Sequence, residues 1–87
     1  MQIHPSALKH NYTELDIRFA LEHVHIERRV VDEDLYRTWI FGFAPDVTLL
    51  ELMALHLSSG DLVIHCMKAR PRELARALGL RGARRSW

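Results

Sequence analysis

The spacing of apolar residues predicts a helical N-terminal part followed by a longer strand-rich part. The first helix signal is a set of apolar residues at three- and four-residue spacing, the repeat of an amphipathic helix: Ile17, Ala20, Leu21 and Val24. Thr13 stands before this set as an N-cap, and Asp16 follows three residues later. Acidic residues in a first turn favour the helix dipole, so a helix is expected to begin after Thr13.

A shorter helix is predicted just upstream, in the segment PSALKH. Pro5 suits a first helical turn, where no backbone N–H is needed. Asn11 stands where a left-handed residue commonly ends a helix. We therefore expect two short consecutive helices with a break at Asn11, and Met1 to Ile3 before them could form a short edge strand.

From His25 onward the pattern is that of strands. Residues 25–31 are one candidate, and 35–43 are rich in aromatic and β-branched residues. Residues 47–57 are almost continuously apolar, which is typical of a central strand buried on both faces, although a helix is possible on propensity alone. We favour a strand because the polar residues after it would close a hairpin into the next apolar run, LVIHCMK.

The C-terminal part is predicted to form one more helix and a tail. Pro71 begins the helix, Leu74 and Leu78 form its apolar stripe, and Gly79 ends it. The chain therefore predicts an α+β fold over residues 1–80: two short N-terminal helices, an antiparallel four-stranded sheet and a C-terminal helix. Residues 81–87 are predicted to be a basic, flexible tail.

The register of the last hairpin follows from an assumed two-residue turn at Ser59-Gly60. Glu51 then faces Lys68, an opposite-charge pair that favours this register. The face that holds Glu51 is assigned to the core. The other face is expected to be concave and to carry a mixed set of residues: Arg37, Trp39, His56 and His65, with Lys68, Arg70 and Arg72 at its rim. A slip of one residue would exchange the two faces.

The charged residues are unevenly distributed along the chain. Residues 1–67 carry five Lys/Arg and ten Asp/Glu, a net charge of −5, whereas residues 68–87 carry seven Lys/Arg and one Glu, a net charge of +6. This asymmetry indicates a nucleic acid or an acidic partner, the alternative being a solvated basic tail. Cys66 is the single cysteine and cannot form an intramolecular disulfide, which fits a reduced, cytoplasmic protein.

No membrane association or cofactor is expected. No apolar run approaches the roughly 18 residues of a membrane span, and the N-terminus lacks a signal-peptide pattern. Metal binding is a weak alternative despite six histidines. His65 and Cys66 are adjacent and would point to opposite faces of a strand, and no CxxC or HExxH spacing is present.

Two motifs resemble those of the BrnT-type toxins, small proteins with a RelE-like ribonuclease fold. HPSALKHN followed by T-x-x-D-I-R-x-A-L is similar to the opening of that family, with Asn11 at its usual glycine and Thr13 at its capping serine. The run from TWIFGF to DLVIHCMKARPRE is similar to its ending, and Ala69 and Glu73 fall on the family's alanine and glutamate. The resemblance covers most of residues 4–73.

The resemblance implies a toxin that cleaves RNA until a DNA-binding antitoxin covers it. It also implies helices, then an antiparallel sheet, then a C-terminal helix. Two positions depart from the family: His65 stands at its serine and Met67 at its arginine. Either Lys68 and Arg70 replace that arginine, or the nuclease activity is weak or absent.

Metal-free RNA cleavage needs a base, an acid and cations that stabilise the phosphorane. Histidine suits proton transfer near neutral pH, and arginine suits bidentate contact with phosphate. The candidate catalytic residues are His65, Arg37, Lys68 and Arg70. The candidate RNA-binding residues are Lys9, His10, Trp39, Arg72 and Arg76. The alternatives are structural: a strand histidine bonded to backbone, a core tryptophan, exposed polar residues at a helix end and a solvated helix face.

The sequence therefore allows two alternative functions. The first is a toxin acting as a metal-independent endoribonuclease and neutralised by an antitoxin. The second is a non-catalytic interaction module that docks a protein partner through the same surface. Steep salt dependence of binding would indicate RNA. A homodimer is a further expectation, because an edge strand at residues 25–31 could pair two copies.

Overall fold

The computed structural model describes residues 1–32 and 35–79. Its elements, in chain order, are β1 (Gln2–Ile3), a 3-10 turn (Pro5–Leu8), α1 (Glu14–Glu22), β2 (Val24–Asp32), β3 (Leu35–Phe43), β4 (Leu49–Leu57), β5 (Gly60–Lys68) and α2 (Pro71–Ala77). The predicted tail at residues 81–87 lies outside the described residues. Neither helix among those described is long and apolar enough to cross a membrane.

The α+β class is confirmed, but the sheet is not the four-stranded antiparallel one that was predicted. It has five strands in the order β1-β5-β4-β3-β2, and β1 pairs with β5 in parallel. The chain after β1 is fixed along the same edge of β5. The His4 backbone N–H donates to the carbonyl oxygen of Val63 at 2.8 Å, and the Ser6 hydroxyl donates to that of Ile64 at 2.6 Å. The pairing of Gln2 with Leu62 and of Ile3 with Val63 makes β1 the fifth strand of the sheet.

The prediction of two N-terminal helices is confirmed as an α-helix only for the second of them. The segment PSAL forms only a 3-10 turn, so α1 is the single α-helix before the sheet. The predicted cap of α1 is confirmed as a reciprocal pair: the Asp16 N–H donates to the Thr13 hydroxyl at 3.1 Å, and the Thr13 N–H donates to the Asp16 carboxylate at 2.9 Å. Asn11 has a φ of 70°, the left-handed conformation that was predicted.

The predicted register of the β4–β5 hairpin is wrong. Leu57 pairs with Gly60, so the turn residues are Ser58 and Ser59. Ala54 pairs with Val63 and Met53 with His65, which leaves Ile64 as an extra residue in a β-bulge.

As a result Glu51 faces Met67, and Lys68 faces Leu50. The Glu51–Lys68 pair that favoured the predicted register does not form.

The core lies between α1 and one face of the sheet. Its buried members from the sheet include Ile40, Leu50, Leu52, Ala54, Val63 and Cys66. Gly42 is required at this contact, because a Cβ there would overlap the carbonyl oxygen of Ala20 in α1. The even-numbered residues of β4 therefore face the core, the reverse of the predicted assignment.

The opposite side of the sheet, which we call the second face, carries α2. Strand pairing places Trp39, Met53 and His65 in one row on this face. Arg28 pairs with Trp39 and so lies on the same face, where its Nη1 is 3.4 Å from the carbonyl oxygen of Ala77 at the end of α2. Since α2 begins beside Glu51 and ends beside Arg28, it crosses from the middle of the sheet to the β2 edge.

Candidate functional site

Glu51 is the centre of the polar site on the second face. Its side chain is completely buried within the apolar strand β4. The carboxylate accepts hydrogen bonds from the Arg70 backbone N–H at 2.8 Å, from Arg70 Nη2 at 2.7 Å and from His65 Nε2 at 2.9 Å. A buried charge is tolerated only when it is paired and hydrogen-bonded, so Glu51 fixes both neighbours in place.

The charge state of this pair follows from competing effects. Burial alone would raise the pKa of Glu51, but the hydrogen bonds from the side chain and backbone of Arg70, together with that from His65, outweigh it and hold the pKa below its usual value. The hydrogen bond to Glu51 in turn raises the pKa of Arg70. The site therefore contains an ionised carboxylate and a guanidinium at neutral pH.

Arg70 reaches Glu51 because of the residues on either side of it. The Ala69 N–H donates to the carbonyl oxygen of Leu49 at 2.9 Å, which carries the end of β5 alongside β4. Pro71 restricts the preceding residue to extended conformations, and Arg70 has φ −94° and ψ 136°. This geometry turns both the backbone N–H and the side chain of Arg70 towards the carboxylate.

The β-bulge at Ile64 turns His65 to the second face. Without the bulge, His65 would share the core side with Val63, two residues earlier. Because a carboxylate only accepts hydrogen bonds, His65 Nε2 must carry the proton in this contact. The Nδ1 atom of a neutral His65 ring then keeps a lone pair, and the side chain is 22% exposed. His65 thus has the arrangement of an oriented general base.

Two aromatic neighbours flank His65. The ring of His10, which is exposed, lies edge-on with its centroid 6.0 Å from that of His65. The Trp39 ring is nearly perpendicular to the His65 ring at a centroid distance of 5.8 Å. Two histidines, one tryptophan and one arginine therefore meet at a single place on the sheet.

The other predicted residues are distributed over both faces of the sheet and the exposed surface. Arg37 is on the second face, two residues from Trp39 and opposite Leu55. Lys68 pairs with Leu50 and belongs to the α1 side, because the bulge changed the register. Lys9 and Arg72 are exposed, and the Arg76 guanidinium is 3.5 Å from the Glu73 carboxylate on α2.

His56 was expected to share a face with His65, and this is wrong. It lies on the α1 side, where its Nδ1 donates to the Asp61 carboxylate at 2.8 Å and its Nε2 accepts from the Thr38 hydroxyl at 2.6 Å. The hydrogen bonds that link a hydroxyl, a histidine and a carboxylate have the arrangement of a hydrolase catalytic triad. Thr38 is only 4% exposed, however, so its hydroxyl is closed to a substrate and the cluster acts as a polar link across three strands.

Sequence reasoning missed Glu51 as the central residue and missed Arg28. Glu51 did carry a signal, since it is the one acid in the strand LLELMALHL and acids are almost never fully buried unless paired. Arg28 carried none, because nothing in the sequence shows that α2 ends beside it.

Within residues 1–32 and 35–79, no group of three or more His, Cys, Asp or Glu side chains is placed to hold a metal ion. Comparison of the chain with known protein families, with curated proteins and with solved structures found no match.

Proposed function

We propose that the protein is a metal-independent endoribonuclease, the toxin component of a toxin–antitoxin pair that acts in the cytoplasm. The observation that carries this proposal is the His65 ring, which the buried Glu51 orients beside Arg70 and His10. The motifs that resemble BrnT-type toxins support the same class.

Each step of RNA cleavage has a residue to perform it. His65 Nδ1 takes the proton of a ribose 2′-hydroxyl, and the 2′-oxygen forms a bond to the adjacent phosphorus. The P–O5′ bond breaks, and His10 donates a proton to the departing 5′-oxygen. The products are a 2′,3′-cyclic phosphate and a free 5′-hydroxyl. Arg70 stabilises the charge on the phosphorane oxygens.

The second face offers contacts for the rest of the RNA chain. Trp39 can stack on a base, an interaction typically worth about 1–3 kcal/mol. The Arg70 side chain is 48% exposed, and its Nη1 makes none of the hydrogen bonds to Glu51. Arg37 and Arg28 lie on the same face, on β3 and β2.

A second function, docking of a protein partner without catalysis, is favoured by one observation. Met67 lies directly opposite Glu51, at the position where the resemblance places an arginine. Arg70 is already paired with Glu51, so the site holds less uncompensated positive charge than a phosphate-binding site with a further arginine. The cognate antitoxin would then cover the same face.

Cleavage of an end-labelled RNA in the presence of EDTA tests the proposal. His65→Ala should reduce cleavage by about 10²–10⁴-fold, the usual contribution of acid–base catalysis. His25→Ala is the matched control, because His25 is exposed on β2 and its ring lies beside that of Phe43; this variant should cleave as the wild type does. Equal cleavage by a folded His65→Ala variant would remove His65 from the mechanism.

The salt dependence of RNA binding separates the two functions. Binding through phosphates should weaken steeply as salt rises. A folded wild-type protein that neither cleaves RNA nor shows this dependence would favour the docking module.

A further inference from the structure

The two edges of the sheet are very different. The β5 edge is partly covered, because β1 pairs with it and His4 and Ser6 bond to its carbonyl oxygens. At the other edge, β2 is nine residues long and pairs only with β3 among the described strands. A long strand with one unpaired edge is a template for another strand, so natural proteins either protect such an edge or use it.

The middle of β2 is complementary to itself. The five residues Ile26 to Val30 read I-E-R-R-V, and the central residue is Arg28. When a second copy runs antiparallel with Arg28 at the centre, Glu27 of each copy faces Arg29 of the other, and Ile26 faces Val30. Both opposite-charge pairs and β-branched pairs stabilise adjacent antiparallel strands.

We propose that two copies of this chain pair antiparallel through β2, centred on Arg28, and form one continuous ten-stranded sheet. The two-fold axis is perpendicular to the sheet, so each face continues into the same face of the partner. Glu27 and Arg29 pair with Ile40 and Thr38 of β3 and therefore lie on the α1 side, where both are exposed. Ile26 and Val30 are half-buried on the second face.

Arg28 meets its own copy at the centre, and its contacts show how the like charges are kept apart. Its Nη1 lies 3.4 Å from the Ala77 carbonyl oxygen and 3.6 Å from the position that a Cβ of Gly79 would take. The guanidinium is therefore directed towards the C-terminal end of its own α2. A cation is also favourable at the C-terminal end of a helix.

One feature limits the pairing to the five central residues. The register with β3 shifts between Val24 and Ile26, and such a bulge interrupts regular pairing at that end of β2.

Charged residues on an edge strand commonly prevent pairing with another strand. Edge charges of a single sign would repel a second copy. In the register proposed, however, Glu27 of one copy attracts Arg29 of the other. The proposal does not depend on the nuclease activity.

Sedimentation equilibrium of the full chain over a range of concentrations tests the dimer. The wild type should approach twice the 10.2 kDa mass of one chain. Glu27→Arg places two Arg–Arg pairs across the edge, and Arg29→Glu places two Glu–Glu pairs there. Each should raise the dimer dissociation constant about tenfold or more. The double variant E27R/R29E restores both opposite-charge pairs and should dimerise as the wild type does.

Glu22→Arg is the matched control, since it makes the same charge change at an exposed position of α1 and should leave the dimer intact. Circular dichroism confirms that each variant is folded. A wild type that stays monomeric at every concentration reached would overturn the proposal and leave the edge to a different protein. Failure of E27R/R29E to restore the dimer that both single variants lose would also overturn it.

Discussion

Replacement of Glu51 by glutamine tests the central polar site, because it removes the charge and keeps the size. The new NH₂ group must face a donor, either Arg70 or His65, so at least one hydrogen bond is lost. Hydrogen bonds to charged groups contribute about 1.5–3 kcal/mol each, and breaking a buried ion pair costs about 3–5 kcal/mol.

The expected loss lies at the lower end of this range. Arg70 is 48% exposed and can turn its guanidinium to water when Glu51 is neutral. We therefore expect Glu51→Gln to lower the free energy of unfolding by about 2–3 kcal/mol at neutral pH. A chain of 87 residues has a total stability of about 4–13 kcal/mol, so this loss is a large fraction of it.

The loss should depend on pH, and its sign follows from the lowered pKa of Glu51. Above the unfolded-state pKa of about 4.3, the carboxylate is ionised in both states and its full contribution is present. As pH falls through the lower folded-state pKa, the native carboxylate is protonated and the contribution disappears. The difference between wild type and Glu51→Gln should therefore be largest near neutral pH and shrink below about pH 4.

Urea denaturation followed by circular dichroism, repeated from neutral to acid pH, measures this difference. Glu22→Gln is the control, because Glu22 is exposed and its replacement should cost almost nothing. A double-mutant cycle adds a second check: Arg70→Ala should cost less in the Glu51→Gln background than in the wild type, where it leaves a buried charge unpaired. A loss under about 0.5 kcal/mol at neutral pH, the range of ordinary surface substitutions, would refute the reasoning.

Three further predictions follow from the backbone and the core. Val47 is 78% exposed and has a φ of 62°, which is unfavourable for a β-branched residue. Val47→Asn should therefore raise the free energy of unfolding, measured by urea denaturation, by about 1 kcal/mol. An unchanged free energy of unfolding would contradict backbone strain at this position. Gly42→Ala should lower the free energy of unfolding by about 1–3 kcal/mol, because the added methyl group overlaps the Ala20 carbonyl oxygen. An unchanged free energy of unfolding in the same measurement would contradict this close packing. Burial raises the pKa of the Cys66 thiol to about 12, so a thiol reagent should modify it only in denaturant, and rapid labelling of the folded protein would contradict its burial.

Local patterns predicted the local structures well. The Thr13 N-cap, the left-handed Asn11 and the helix start at Pro71 all depend on neighbouring residues in the chain, and all three are confirmed. The apolar run after Pro45 was correctly predicted to be a strand, since the hairpin that follows requires one.

The faces of the sheet could not be predicted in the same way, because they depend on register. A turn at Ser58-Ser59 in place of Ser59-Gly60 shifts β5 relative to β4, and the bulge at Ile64 then moves His65 from one face to the other. The site itself depends on contacts between residues that are far apart in the sequence, such as Glu51 and Arg70. The predicted pair of Glu51 with Lys68 favoured the wrong register, because the backbone N–H of Arg70 gives the carboxylate a partner that no side-chain pattern reveals.

The central claim is that His65, oriented by Glu51, cleaves RNA without a metal. The most direct test uses a labelled DNA oligonucleotide that contains a single ribonucleotide, incubated with the wild type and with His65→Ala in EDTA. The wild type should make one cut, on the 3′ side of the ribonucleotide, with a 2′,3′-cyclic phosphate as product, and His65→Ala should make none. An uncut oligonucleotide with the folded wild type, or an equal cut with His65→Ala, would contradict it.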